Sequence, residues 1–206
     1  DAPITGFLRE AGAVIVGKTT SPEFGWKGVT DSPIYGITRN PWDTRMTSGG
    51  SSGGAAVAAS LNLGVLHQGS DAGGSIRIPS SFTGTFGFKP TFGYIPQWPA
   101  SATTLVSHLG PMTRTVEDAV LFLQTVARPD PRDALLGAPR HTPWLAQNTD
   151  LRGLRARVCR PLDKPLIPKI FDTAARAFDA VIEAEDFMDS GSELYCDAQP
   201  ALQLVH

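Results

Sequence analysis

Long apolar runs are missing from this sequence. No stretch approaches the ~20 residues of a membrane-spanning helix, and the first residues do not have the form of a secretory signal. An excess of one charge is missing too. Eighteen Lys and Arg against twenty Asp and Glu leave a net charge of −2, so no basic field points to nucleic acid or an anionic membrane surface. Cysteine is scarce: Cys159 and Cys196 have no metal-ligand spacing and read as reduced thiols of a cytoplasmic protein. The four histidines (67, 108, 141 and 206) form no HxxxH or HExxH pattern, so neither a metal nor another cofactor is expected. The chain also opens at Asp1 without a methionine, and reads as a fragment of a longer protein.

Small residues are what the sequence has. Gly49-Gly50-Ser51-Ser52-Gly53-Gly54 and Asp71-Ala72-Gly73-Gly74-Ser75 stand on either side of an alanine-rich segment and a short apolar one. Glycine at this density usually marks a flexible linker. A linker would not be flanked by Ala-Ala-Val-Ala-Ala and Ile76-Arg77-Ile78-Pro79. Glycine and serine at the start of a helix instead bring backbone N–H groups close to something anionic.

The rest of the chain reads as alternating helix and strand. Asp1-Ala2-Pro3 has the form of a helix start with Asp1 as N-cap, followed by the apolar positions Ile4, Phe7, Leu8 and Ala11 and a stop at Gly12. Residues 13–16, Ala-Val-Ile-Val, then read as a short buried strand, which makes an αβ step. Gly12 to Thr19 also satisfy G-x-x-x-x-G-K-[ST]. A phosphate loop, however, needs its strand before the first glycine, and here the strand would lie inside the motif. Thr20-Ser21-Pro22-Glu23 reads as the cap of a short helix. Residues 27–47 read as a loop, with Tyr35 and Trp42 as its anchors.

Beyond the first cluster, the pattern predicts a helix over 55–61, a strand over 64–69 and another over 86–88. Residues 101–107 form a polar connection. Thr115 caps a helix marked by Val116, Ala119, Val120, Leu123 and Val126, with Glu117 and Asp118 in its first turn. Residues 128–150 are a connection rich in Pro, Asp and Arg. A strand over 154–159 and an amphipathic helix carrying Ile170, Phe171, Ala174, Phe178, Val181 and Ile182 follow. Residues 185–206 fit no pattern. The organisation expected is a core over 1–127, a connecting loop over 128–150, and the remainder of the same α/β domain over 151–206.

The two clusters, the order in which they occur, and Gly84, Gly87, Lys89-Pro90-Thr91 and Gly110-Pro111-Met112 resemble the amidase signature family of serine hydrolases. The resemblance runs from Asp1 to about Arg128, and weakly through Gly153-Leu154-Arg155. It implies an α/β fold with a mixed β-sheet core covered by helices on both faces, incomplete in this chain. It also implies Ser75 as nucleophile and Ser51, 24 residues earlier, as the serine that relays a proton to a neutral lysine. Ala72, Gly73, Gly74 and Ser75 would supply N–H groups to an oxyanion, Ser52 would support them, and the Gly50–Ser51 peptide would be cis. Asp71 and Arg77 read as scaffold, because charges in a buried stretch persist only when paired. In relatives the lysine lies upstream of the position of Asp1. None of Lys18, Lys27, Lys89, Lys164 or Lys169 matches its motif, so this chain alone is expected to be inactive.

A serine needs a base, and position alone leaves His67 and His108 open for that role. Three functions compete. The first is an amidase acting on a small carboxylic amide, with no nucleic-acid or membrane partner and a homodimer left open. The second is the amidase subunit of a glutamine-dependent tRNA amidotransferase, whose Ser-Ile-Arg is usually followed by glutamine where this chain has Ile78. The third is a non-catalytic homologue that keeps only the fold.

Overall fold

A computed structural model describes residues 1–135, 155–158, 172–173, 176 and 180–183. The chain divides into two compact units, Asp1–Trp144 and Leu145–His206.

The first unit is built on a three-stranded antiparallel sheet. Its strands are β3 (His67–Asp71), β4 (Phe86–Gly87) and β5 (His108–Thr113), in the order β3-β5-β4. The register places His67 opposite Met112 and Asp71 opposite His108. Side chains alternate across a strand, so Leu109 and Met112 leave β5 on opposite faces. Leu109 packs with Ile4, Ile95, Phe122, Leu123 and Val126, a core to which α1 (Pro3–Glu10) and α4 (Val116–Val126) contribute. Met112 packs with Ala55 and Ala56 of α2 (Gly53–Ser60) and with Ile76, just before α3 (Arg77–Thr83). Helices therefore cover both faces. A separate small ladder joins β1 (Asp31–Ser32) to β2 (Gly36–Ile37). In the second unit, β6 (Arg155–Val158) and β7 (Ala180–Glu183) pair in parallel, so the chain carries both strand orientations.

Several expectations change. Ala2, not Asp1, is the residue before α1, and no side chain caps it; the Asp1 carboxylate pairs with Arg9 at 2.7 Å instead. Residues 13–16 form no strand. Val14 and Val16 are 86% and 91% exposed, because β-branched residues favour an extended backbone but make a strand only where another edge supplies hydrogen bonds. Lys18-Thr19 starts no helix, which removes the phosphate-loop pattern. The short helix after Thr20 is a single 3-10 turn, Glu23–Gly25, without a side-chain cap. Within the loop that follows, the Trp42 indole donates to Thr83 O at 2.7 Å, while Tyr35 leaves its ring in solvent and anchors nothing. The strand expected over 64–69 begins at His67 and runs to Asp71. In the second unit Val181 and Ile182 belong to β7 rather than to a helix. Ile170, Phe171, Ala174, Phe178 and residues 185–206 lie outside the described residues.

The helix over 116–126 forms as its cap predicts. Thr115 Oγ1 accepts from Asp118 N at 3.1 Å, and its hydroxyl donates to Asp118 Oδ2 at 2.7 Å. At the far end, Arg128 pairs with Glu10 and stacks over Phe7, 3.8 Å from the ring centroid, which joins α4 to α1. Removal of the cap by Thr115→Ala is expected to cost about 1 kcal/mol, read as a lower urea midpoint with an unchanged slope. An unchanged midpoint would show that the buried face of α4 holds the helix without its cap.

Candidate active site

The first cluster is held by a buried threonine. Thr30 Oγ1 donates to Gly49 O at 2.9 Å and accepts from Gly53 N at 3.1 Å, so one hydroxyl spans the loop from its entry to the start of α2. Ser48, fully buried, donates to Thr38 O at 3.0 Å. The Gly50–Ser51 peptide is cis, as the resemblance implies. No residue larger than glycine fits the helix start. A Cβ at Gly53 would collide with Thr30 and Ser48, and one at Gly54 with the backbone of Thr20, whose carbonyl accepts from Gly54 N at 3.2 Å. Ser51 ends up buried, next to Gly25, where any side chain would touch its hydroxyl oxygen.

The second cluster is held by a carboxylate. Asp71 closes β3 with its side chain wholly excluded from solvent. Its Oδ1 accepts from Gly74 N at 2.7 Å, and its Oδ2 from Ile76 N at 3.2 Å and Arg77 N at 3.3 Å. The Arg77 guanidinium completes the set with two bonds of 2.9 Å. Asp71 and Arg77 are therefore a bidentate scaffold pair, as charges in a buried stretch must be. Burial is the strongest single influence on the Asp71 carboxyl and pushes its pKa up. The Arg77 and backbone hydrogen bonds together outweigh it, and the group titrates below the usual carboxylate range.

This arrangement divides the four N–H groups expected to face an oxyanion. Gly74 turns its N–H inward to Asp71, at a φ of +120°, and is buried. That contradicts the expectation for Gly74, because a donor spent on a buried carboxylate cannot also serve an anion outside the loop. Ala72 and Gly73 are exposed and Ser75 is half-buried; their N–H groups have no acceptor among the described residues.

Ser52 links the clusters. Its N–H, part of the peptide that follows Ser51, donates to Ser75 O at 3.2 Å. Its Oγ accepts from Ser70 N at 3.2 Å and donates to Ser70 O at 3.3 Å, bridging to β3. The cationic side chains look elsewhere: Lys27 pairs with Asp31 at 2.8 Å, Lys89 donates to Pro90 O at 3.2 Å, and Lys18 is exposed. Lys164 and Lys169 lie outside the described residues. His67 Nε2 donates to Leu63 O at 3.0 Å, and His108 Nδ1 faces Asp71 O at 3.1 Å and Val106 O at 2.9 Å. Neither imidazole hydrogen-bonds a serine of the clusters. Among the described residues, no group of three His, Cys, Asp or Glu could hold a metal ion, and no helix is long and apolar enough to cross a membrane. Thr30 and Ser48 are contributors that the sequence did not single out, because each lies outside the glycine motifs, whereas His108, left open as a base, faces the Asp71 carbonyl instead.

The depressed pKa of Asp71 fixes the sign of its pH effect. Its stabilisation is fully present above the unfolded value of about 3.9, and is lost as the pH falls through the lower folded value. Asp71→Asn is expected to destabilise the chain by roughly 2 kcal/mol at pH 7, through its charge-assisted bonds. The gap between variant and wild type should narrow below about pH 4 in denaturant titrations across that range. A gap independent of pH would show that the carboxylate charge contributes nothing.

Comparison with known proteins follows the same residues. The family model named Amidase matches residues 1–186. The chain is 44% identical to an indoleacetamide hydrolase of Bradyrhizobium diazoefficiens over 140 residues, 65% of this chain and 27% of that protein. It is 38% identical to a glutamyl-tRNA(Gln) amidotransferase subunit of Gloeobacter violaceus over 201 residues, 95% of this chain and 40% of that one. It thus spans well under half the length of these relatives. Among solved structures, the corresponding glutamyl-tRNA(Gln) amidotransferase subunit of Thermotoga maritima superimposes with a TM-score of 0.82 at 29% identity, over 98% of this chain and 47% of that one. A peptide amidase of Stenotrophomonas maltophilia gives 0.78 at 32% identity, over 90% and 42%. A bacterial aryl acylamidase of the amidase signature family gives 0.77 at 26% identity, over 95% of this chain and 42% of that one. The mixed α/β arrangement around the two glycine clusters is therefore the amidase signature fold, and the chain belongs to the amidase family.

Proposed function

We propose that the protein hydrolyses a small carboxylic amide through an acyl-enzyme on Ser75. The observation that carries this reading is the second glycine loop. One of its N–H groups is locked onto Asp71, while those of Ala72, Gly73 and Ser75 are left to meet an acceptor from outside. Ser75 Oγ attacks the amide carbonyl, and its proton passes through the Ser51 hydroxyl to a base. The tetrahedral oxyanion forms beside the three free N–H groups. Such donors are typically worth ~3–4 kcal/mol each in the transition state. The amine leaves with the relayed proton, and water then hydrolyses the ester to release the acid.

The reading requires a third group to take the proton, by resemblance a lysine held neutral. Lys27 pairs with Asp31, Lys89 donates to Pro90 O and Lys18 is exposed, and none of the three has a hydrogen bond to Ser51 among the described residues. By that resemblance, whose lysine motif none of this chain's lysines matches, the 206 residues alone are proposed to be inactive. General-base catalysis typically contributes ~10²–10⁴ in rate. Ile78 supports an amidase acting alone over one subunit of an amidotransferase. Its side chain lies where a Cβ at either Gly74 or Gly49 would strike it, so an apolar group fills the space between the two loops.

In the active protein a fluorophosphonate or sulfonyl fluoride probe is expected to modify Ser75, seen as a mass increase on the peptide that carries it. Ser75→Ala should abolish both labelling and turnover. Ser51→Ala should retain substrate binding and lower turnover by ~10²-fold or more, the range of a lost proton relay. Modification at Ser52, Ser70 or Ser80 would overturn the assignment.

A further inference from the structure

We propose that His108 is a positioning residue that orients the Ala72 N–H toward the oxyanion, an inference that rests on the Ser75 acyl-enzyme reading. Its imidazole faces two acceptors, Asp71 O at 3.1 Å and Val106 O at 2.9 Å, both through Nδ1. Carbonyl oxygens only accept, so Nδ1 carries the proton and donates to both. The ring is steadied by Phe92, which meets it edge-on with centroids 5.7 Å apart.

The Asp71 carbonyl and the Ala72 N–H belong to one planar peptide unit and point in opposite directions across it. Fixing where the carbonyl points therefore fixes where the N–H points. The carboxylate of Asp71 orders the loop from Gly74 onward, but none of its bonds touches this first peptide. That peptide is governed from β5. Pro111 O accepts from Phe88 N of the β4 side at 3.1 Å, so alternate residues of β5, His108 included, turn their main-chain groups toward β3. Asp71 and His108 form the last pair of that ladder. Terminal pairs are where a ladder frays. The imidazole adds a second donor to the carbonyl at that point, and holds the peptide plane at the entry to the loop.

The test separates Nδ1 from the remainder of the ring. In histidine, Nδ1 is two bonds from Cβ, as is the amide nitrogen of asparagine; the amide nitrogen of glutamine is three bonds away, as is Nε2. His108→Asn should therefore keep kcat within about threefold of wild type. His108→Gln should lower kcat roughly tenfold at an unchanged KM, a fraction of the ~10²–10³ lost when an oxyanion donor is removed outright. A trifluoromethyl ketone analogue of the amide should weaken by the same factor as kcat falls. Thermal melting of both variants within a few degrees of wild type keeps the comparison free of unfolding. Equal kcat for His108→Gln and wild type, or equal losses in the Asn and Gln variants, overturns the role of His108 while Ser75→Ala remains inactive. An active Ser75→Ala variant would instead overturn the acyl-enzyme reading on which the role depends.

Discussion

The Asp71 carboxylate sits at the end of β3 with no solvent, and everything after it in the loop is arranged to make that tolerable. A buried carboxylate without partners would cost several kcal/mol. Here three backbone N–H groups and a bidentate guanidinium surround it, and its pKa falls rather than rises. The compensation has a geometric consequence. The N–H groups of Gly74, Ile76 and Arg77 must converge on two oxygen atoms, which forces the chain into a tight turn and starts α3 at its end. The donors that do not converge, those of Ala72, Gly73 and Ser75, are left without an acceptor among the described residues. On the proposed reading, the oxyanion would meet a loop whose inner side is already filled by an anion of its own.

The first cluster solves a different problem with a neutral group. It must turn into α2 while keeping Ser51 inside, and a hydroxyl with one donor and spare acceptor capacity is enough. Thr30 uses both functions, one on either side of the serine pair. Ser52 then ties this loop to the other through Ser75 O, and to β3 through Ser70. Three hydrogen bonds from one small residue fix the two serine loops against each other. The long Thr30-bearing loop is itself fastened to the end of α3 by Asn40 and Trp42, which donate to Phe82 O and Thr83 O at 2.8 and 2.7 Å. These are terminal helix carbonyls that have no partner within the helix.

Sequence patterning found what local chemistry determines. The Thr115 cap and the apolar spacing after it gave α4, and the small residues after Gly54 gave α2, because in both the signal lies inside the element. It failed where an element depends on a distant partner. Residues 13–16 have strand composition without a ladder, and Val181 and Ile182 fit a helical period yet pair in a parallel strand. Helix α3 was hidden behind Pro79. Proline usually ends a helix, but at the third position it falls in the first turn, where its missing N–H had no intrahelical acceptor. Thr30 and Ser48 are ordinary in sequence, and acquire their roles only when the fold carries them to the loops. The division of the Asp71 loop into donors held by the carboxylate and donors without an acceptor also had no sequence signature. Gly73 and Gly74 look equivalent on paper.

They are not equivalent in space, and the difference bears on what the glycines are for. Gly53 and Gly54 are glycine because other parts of the protein occupy the volume a Cβ would need. Gly74 is glycine because its backbone lies at a φ of +120° and because Ile78 would meet its Cβ. Neither reason applies at Gly73, where φ is not in that region and a Cβ would meet nothing within 4 Å. Folding and packing of the described residues therefore place no demand on this position. A Cβ at Gly73 would stand in open space, in a segment where the N–H groups of Ala72 and Gly73 have no acceptor among the described residues and Ser75 follows two residues later. On the proposed reading, a bare backbone there would give a substrate carbonyl an unobstructed approach to both donors, and a side chain would shield them. Internal constraints account for the other glycines of the two loops, and on the proposed reading this one is explained by what binds outside.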